Sequence, residues 1–196
     1  LSLPDFDFET TYPLSRQVLL EVKLKTLLAS SDLPFNAVSE ILEKLNLQKF
    51  SSLLSKVSAA EMSTYMQNVL LRDSDQMSMA SALEVRVPFL DYHLVEYVLS
   101  VPDKFTYPVT PKKLLTDALG DLLPTEIIDR PKMGFTLPWK HWMKNDMKQF
   151  CEQRIVSLSE RTVFNKLEIQ NLWKDFLSEN QRVTWSRIWY LVVLED

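Results

Sequence analysis

Residues 184–195, TWSRIWYLVVLE, place four apolar side chains at helical spacing: Trp185, Ile188, Trp189 and Val192. Residues three and four apart lie on the same face of a helix, so this pattern predicts an amphipathic helix with one continuous apolar stripe. The apolar part of the segment is far shorter than the roughly 20 residues that cross a bilayer. The stripe therefore predicts a helix that packs within a protein, and the sequence predicts no membrane association.

Helical spacing recurs along most of the chain, and polar residues mark where the helices begin and end. Ser58, with Glu61 three residues later, matches a capping box. Asp91 is a predicted N-cap, Thr-Pro at 110–111 a predicted helix start, and Gly120 a predicted C-terminal cap. The other predicted helices are 15–29, 38–45, 124–128, a long helix opened by Pro138, 167–176 and 183–194. We therefore expect a mainly α chain.

Composition excludes several classes of site. The chain has 196 residues and only two glycines, and a phosphate-cradling loop needs several. A net charge of −4 argues against a nucleic-acid partner. His93 and His141 are far apart in sequence, so we predict no metal site. The single cysteine, Cys151, fits a helix position in a cytoplasmic protein better than a disulfide or a catalytic thiol.

In EVRVPFLD, residues 84–91, the apolar side chains recur at every second residue, which predicts an extended segment. Glu84 and Arg86 then point to one face. A carboxylate and a guanidinium in this arrangement either bind a charged ligand or form a buried ion pair that fixes neighbouring helices. We favour the buried pair, because structural ion pairs are common even near functional sites.

The segment DRPKMGF, residues 129–135, is the best candidate for a functional site. Pro131 restricts the backbone at Arg130, and Gly134 permits a turn or a close approach of another group. Such a loop can aim Lys132, whose compact cation suits a developing phosphate charge. A solvated surface loop explains the residues equally well from physical grounds alone.

Two blocks, SMASALEVRVPFLD and LLPTEIIDRPKMGF, together with their spacing, resemble the synthetase domain of glutamine-dependent asparagine synthetases. The resemblance covers roughly residues 62–143. It implies that residues 1–196 are the C-terminal portion of such a domain, with a motif-bearing core at 62–143 and a helical extension at 144–196. The parent domain would be an α/β, ATP-pyrophosphatase-type fold whose sheet and nucleotide loop lie upstream. The chain begins with Leu1, so we expect an excised or processed piece.

The resemblance also implies a reaction and a set of cofactors. Family members activate aspartate with ATP and Mg²⁺ as an acyl-adenylate, which ammonia then attacks. The partners would be an upstream ATP-pyrophosphatase segment and a glutaminase domain that releases ammonia from glutamine. We expect the isolated chain to be inactive, because the glycine-rich nucleotide loop is not present in it.

Site residues follow from the same resemblance. Lys132 corresponds to the catalytic lysine of the family block, and Arg130 and Gly134 lie in that block near the substrates. Asp75 matches an aspartate that the family follows with arginine, but Gln76 stands here instead. The resemblance implies that the block containing Glu84 and Arg86 mainly supports the site. It also implies that Asp75 lies near the nucleotide.

Two other functions compete with this interpretation. The chain could be a non-catalytic helical scaffold, or part of a related acyl-adenylating amidotransferase that acts on another carboxylate. Helices separated from their sheet would expose an apolar face. We therefore expect marginal stability or self-association of the isolated chain, including a homo-oligomer.

Overall fold

The computed structural model describes residues 7–30, 32–33, 36–50, 52–106, 112–131, 133–134 and 136–196. The α-helices of these residues are α1 Phe8–Ser15, α2 Glu21–Leu27, α3 Ala37–Lys44, α4 Leu53–Glu61, α5 Arg72–Met79, α6 Tyr92–Ser100, α7 Asp103–Thr106, α8 Lys113–Leu119, α9 Thr125–Ile128, α10 Trp139–Lys144, α11 Lys148–Glu160, α12 Lys166–Leu177 and α13 Trp185–Glu195. Short 3₁₀ turns cover Leu47–Lys49, Pro88–Leu90 and Gly120–Leu122, and a π-helix covers Met62–Leu71. The described part of the chain contains no strand, which confirms the mainly α prediction.

The chain divides into two compact units. The motif unit comprises residues 7–9 and 37–133, and the bundle unit comprises residues 10–36 and 134–196, apart from the undescribed positions. The boundary between Met133 and Gly134 falls inside DRPKMGF. The predicted division into a core at 62–143 and an extension at 144–196 stays a prediction.

The bundle unit is built around α11, α12 and α13, which pack against one another. Its core contains fully buried side chains from each of these helices, and Met143 of α10 joins them. Ile188 and Val192 lie in this core, and Trp189 packs against it, so the predicted stripe of α13 is confirmed at these three residues, whereas Trp185 is exposed. The long helix expected after Pro138 is instead two helices, because the backbone leaves helical geometry at Asn145.

An N-terminal segment completes the bundle unit. Leu27, at the end of α2, is buried in the core. Its carbonyl accepts a hydrogen bond from the Asn165 backbone N–H at 2.7 Å, and the Ala29 N–H donates to the Val163 carbonyl at 2.8 Å. An ion pair of 2.9 Å joins Lys23 to Glu168. Residues far apart in sequence therefore share one core.

The motif unit contains one continuous helical rod formed by α4, the π-helix Met62–Leu71 and α5. Polar side chains bind backbone carbonyls in and beside the π-helix: the Thr64 hydroxyl donates to Ala60 at 2.7 Å, and the Asn68 amide donates to Ser63 at 3.1 Å. Hydrogen bonds from i to i+5 change which residues share a face. Thr64 is the buried residue of this segment.

The predicted capping box is also wrong. Ser58 and Glu61 lie inside α4, so the backbone is already helical where an N-cap was expected. Ser52 caps the helix instead, with its side chain accepting from the Ser55 backbone N–H at 3.2 Å. The expected capping at Asp91 is confirmed by bonds from the His93 and Leu94 N–H groups. The predicted helix start at 110–111 lies outside the described residues.

Asp103 connects α7 to the start of α4, and this contact gives a pH dependence. Its carboxylate accepts hydrogen bonds from the Ser52 hydroxyl and, at 2.6 Å, from the Ser55 hydroxyl. The bonds from Ser52 and then Ser55 hold the pKa of Asp103 below its ordinary value. A depressed folded-state pKa stabilises the fold above the ordinary carboxyl pKa, and the contribution is lost as the pH falls through the folded-state pKa.

We therefore expect Ser55→Ala to raise amide hydrogen exchange in α4 at neutral pH. The increase should shrink in acid, where the Asp103 carboxylate of the unsubstituted chain is itself protonated. Mass-spectrometric exchange at a series of pH values measures this, and Ser157→Ala in the bundle unit is the control. An increase that is the same at every pH would contradict the proposed link to Asp103.

Candidate functional site

The Glu84–Arg86 pair forms as the sequence predicts, but not in the predicted surroundings. The Arg86 Nε donates to Glu84 Oε1 at 3.1 Å, and a second guanidinium nitrogen lies 3.0 Å from the same oxygen. The side chains are 84% exposed for Arg86 and 71% exposed for Glu84. The interpretation as a buried ion pair is therefore wrong, because no element of the described chain covers it. The remaining guanidinium N–H groups can bind another anion.

Asp75 lies in the first turn of α5, in the interior of the continuous helix formed by α4, the π-helix and α5, so no free helix N-terminus lies beside its carboxylate. Its side chain and that of Gln76 are exposed. No hydrogen bond or ion pair with another described residue holds the Asp75 carboxylate. Asp75 and the Glu84–Arg86 pair belong to the same unit, and the described contacts do not join them directly.

The segment 129–135 follows α9 immediately. Lys132 lies outside the described residues, so its predicted role stays a prediction. Arg130 and Pro131 are exposed in the motif unit, and Gly134 is exposed in the bundle unit. The Asp129 N–H donates to the Thr125 carbonyl at 2.9 Å, which closes the single turn of α9 before the segment begins.

The two glycines differ in what the fold requires of them. Gly120 has a φ of +51°, a conformation that residues with a side chain adopt rarely. Gly134 does not have a positive φ of this kind, and a Cβ added to it would meet no atom within 4 Å. A Cβ added at Gly120 would meet no atom within 4 Å either, so the described fold favours glycine at 120 for its backbone conformation alone.

This contrast gives a paired prediction. Gly120→Ala should lower the free energy of unfolding of the motif unit by about 1 kcal/mol, because alanine is strained at positive φ. Gly134→Ala should leave stability unchanged or raise it by about 0.5 kcal/mol, by restricting the unfolded chain. Urea unfolding followed by circular dichroism measures both values. Equal losses would show that the environment of Gly134 is more restricted than the structure indicates.

Other candidate groups do not form a second site within the described part of the chain. Cys151 is fully buried in α11, and burial raises the pKa of its thiol, which agrees with a structural role. Within the described ranges, no group of three His, Cys, Asp or Glu side chains is placed to hold a metal ion. The same ranges contain no helix with the length and apolar character needed to cross a membrane.

Comparison with known proteins identifies a family and several relatives. The family model described as asparagine synthase matches residues 6–196. The chain is 30% identical over 150 residues to the glutamine-hydrolysing asparagine synthetase 1 of Bacillus subtilis (strain 168), a match that covers 72% of this chain and 24% of the relative. It is 44% identical over 72 residues to asparagine synthetase 3 of the same organism, with 36% and 12% covered.

A mammalian relative matches as well. The chain is 42% identical over 67 residues to the glutamine-hydrolysing asparagine synthetase of Mesocricetus auratus, which covers 32% of this chain and 12% of the relative. The chain spans about a quarter or less of the length of these relatives. No solved structure matches it significantly. Since the family model covers nearly all of the sequence, including the N-terminal segment that completes the bundle unit, the chain belongs to the asparagine synthase family.

Proposed function

We propose that this chain is the C-terminal part of the synthetase domain of an ATP-dependent carbon–nitrogen ligase. The parent protein would convert aspartate, ATP and ammonia into asparagine, AMP and pyrophosphate; where glutamine supplies the ammonia, its hydrolysis leaves glutamate. The family match over residues 6–196 carries this proposal. The relatives that match are named asparagine synthetases, which supports aspartate as the carboxylate that is activated.

The residues present fit a contribution to an ATP site, but not a complete one. Arg86 and Arg130 are exposed and offer N–H donors to an anion, whereas two glycines cannot form a phosphate-cradling loop. We infer that ATP and Mg²⁺ are held mainly by an upstream ATP-pyrophosphatase segment of an α/β domain. ATP supplies the leaving group that activates the carboxylate. Asp75, Arg130 and Gly134 would lie near it, and Glu84 and Arg86 would support the site.

Lys132 would act on charge that develops during the reaction. A cation held near the reacting phosphate stabilises a transition state only if the phosphate is itself positioned. The lysine therefore requires the upstream nucleotide site. The open space around Gly134 permits a ligand or another part of the parent protein to approach the backbone there.

The exposed apolar surface of the motif unit supports an intramolecular partner. No described residue between 65 and 133 is buried. The large apolar side chains left more than half exposed in this region are Met77, Met79, Leu83, Phe89, Tyr92, Tyr97, Phe105, Leu122, Ile127 and Met133. An apolar surface of this extent indicates an interaction site. We infer that the rest of the synthetase domain covers this surface. The parent protein would be cytoplasmic and would also contain the glutaminase domain.

The test is aspartate-dependent release of pyrophosphate from ATP. It compares this chain with the longer protein that contains an upstream nucleotide segment and a glutaminase domain. We expect release by the longer protein and none by the 196-residue chain. Release by the chain alone would contradict its incompleteness. Release that requires a carboxylate other than aspartate would replace the proposed substrate with that of a related amidotransferase.

A non-catalytic scaffold predicts a different result. A longer protein that binds no ATP and releases no pyrophosphate with any carboxylate, while both units remain folded, would favour the scaffold. Binding of ATP is measured separately by calorimetry, so loss of catalysis is distinguished from loss of the nucleotide site.

A further inference from the structure

The helical rod of the motif unit changes its hydrogen-bonding pattern along its length. The ten residues Met62–Leu71 form a π-helix that is continuous with α4 before it and α5 after it. A π-helix holds one more residue in each hydrogen-bonded turn than an α-helix, so successive residues advance through a smaller angle around the axis. The π-helix therefore turns α5 about the rod axis, relative to the face that an uninterrupted α-helix would present.

Side-chain donors support this pattern of bonding. The Asn68 amide donates to the Ser63 carbonyl, five residues earlier, at 3.1 Å, and to the Thr64 carbonyl, four residues earlier, at 3.0 Å. The Thr64 hydroxyl donates to the Ala60 carbonyl at 2.7 Å. These bonds are additional to those of the backbone. Without the Asn68 amide, we expect the segment to return to the far commoner α-helical pattern.

The π-helix is also the part of the rod that is fixed to the rest of the motif unit. Thr64 is only 5% exposed, and α3 packs against the π-helix. By contrast, α5 contains no buried residue. The direction in which α5 presents its side chains therefore depends on the rod that it continues.

The end of α5 transmits this orientation to the next segment of the chain. The Leu83 N–H donates to the Ser78 carbonyl at 2.9 Å. The Ala82 N–H donates to the Met79 carbonyl at the same distance. With Ala82 at a φ of +55°, the two bonds form a Schellman motif, which fixes the direction of the chain after the helix. The segment 84–91 follows directly, so its start is tied to α5 as well.

We propose that Asn68 is a positioning residue, which maintains the π-helix and thereby sets the face of α5 on which Asp75 is presented to the nucleotide. This inference rests on the proposed ligase function and on the place given there to Asp75. Asn68 does not contact the substrates in this account. It acts through the backbone, because residues 68–75 all belong to one continuous helix.

The first experiment measures the face of α5 directly in the 196-residue chain. Nitroxide spin labels are attached to cysteines introduced by Glu40→Cys on α3 and Gln76→Cys on α5, at two exposed positions. Cys151 is buried, which protects it from the label. Pulsed electron paramagnetic resonance then measures the separation of the two labels.

Asn68→Ala should change this separation by several ångströms, within the limit of about 10 Å that the diameter of a helix allows. Asn68→Gln keeps an amide on a longer stem and should restore much of the original value. Gln67→Ala is the matched control, because it removes an exposed amide from the same π-helix. That variant should leave the separation unchanged.

The second experiment measures pyrophosphate release by the longer protein. Asn68→Ala should lower kcat/KM for ATP by about tenfold, through a higher KM for ATP, because a group near the nucleotide is misplaced. KM for aspartate should change by less than about twofold. A merely structural defect would instead leave less folded enzyme, and so lower kcat with both KM values unchanged. Gln67→Ala should leave all of these values near those of the unsubstituted protein.

A double-mutant cycle shows whether Asn68 acts through Asp75. Asp75→Asn alone should lower kcat/KM for ATP at least as much as Asn68→Ala does. If Asn68 acts by positioning Asp75, then adding Asn68→Ala to Asp75→Asn should cause a further loss of less than about twofold, since the effects of coupled residues are not additive.

Four outcomes would overturn the positioning role: an unchanged label separation in Asn68→Ala, an unchanged kcat/KM for ATP in that variant, unchanged kinetics of Asp75→Asn, or fully additive losses in the double variant. If the unsubstituted longer protein releases no pyrophosphate, the ligase function itself fails, and the positioning role fails with it. The label separation would then still show whether Asn68 maintains the π-helix.

Discussion

Replacing Lys132 with alanine is expected to lower aspartate-dependent pyrophosphate release by the longer protein by about 10²–10³-fold, as loss of one electrostatic group typically does. The expectation depends on Lys132 lying in the family block DRPKMGF, in a chain that belongs to the asparagine synthase family. A cation contributes most where negative charge develops and water is excluded. KM for ATP should change less than kcat if the lysine acts mainly in the transition state.

Two variants sharpen this measurement. Lys166→Ala removes an exposed lysine of α12 that pairs with Glu160 at 2.6 Å, outside the matched blocks, and it should leave the rate nearly unchanged. Lys132→Arg keeps the charge but replaces a compact ammonium with a planar fork, so we expect partial activity. A Lys132→Ala protein that is as active as the Lys166→Ala protein would remove Lys132 from the catalytic mechanism.

Leu172→Ala is expected to lower the free energy of unfolding of the bundle unit by about 3 kcal/mol, within the 2–5 kcal/mol range for buried leucines. Leu172 is only 5% exposed and lies in the core of α11, α12 and α13. Truncation removes apolar contacts and leaves a cavity that the surrounding helices fill incompletely. Urea unfolding followed by tryptophan fluorescence reports this loss, since all five tryptophans lie within residues 134–196.

Leu167→Ala is the matched control for this prediction. It makes the same substitution in the same helix at a position that is 63% exposed. The expected change is within about 0.5 kcal/mol, as for most surface substitutions. Similar losses at both positions would show that the solvent-facing side of α12 is covered in solution, for example by self-association of the chain.

The helical spacing of apolar residues predicted those helices whose apolar face packs against a core. The stripe of α13 is the clearest case, since Ile188 and Val192 are buried as expected. Asp91 was predictable because an N-cap is a local interaction between neighbouring residues. The π-helix was not predictable from spacing, because its hydrogen bonds alter the period itself.

Long-range contacts explain the other differences. Nothing local indicates that Leu27 lies in the same core as α12, because that contact joins distant parts of the chain. The exposure of the Glu84–Arg86 pair was likewise missed, since two residues on one face define a pair but not what covers it. The candidate site rests on family blocks at Asp75, Arg130 and Lys132, and its assembly remains a prediction.

The discontinuous bundle unit has a consequence for how the protein folds. Helices α11, α12 and α13 are close in sequence and can form a core early. Leu27 of α2 is separated from them in sequence by nearly all of the motif unit. Closing so long a loop costs about 4 kcal/mol of chain entropy, taking (3/2)RT ln n for the residues between Leu27 and Asn165. Local contacts fold faster than distant ones, so we expect α2 to dock after the three helices have assembled. A newly made chain would thus pass through a state whose partly formed bundle lacks its N-terminal helix and exposes the site that Leu27 later fills.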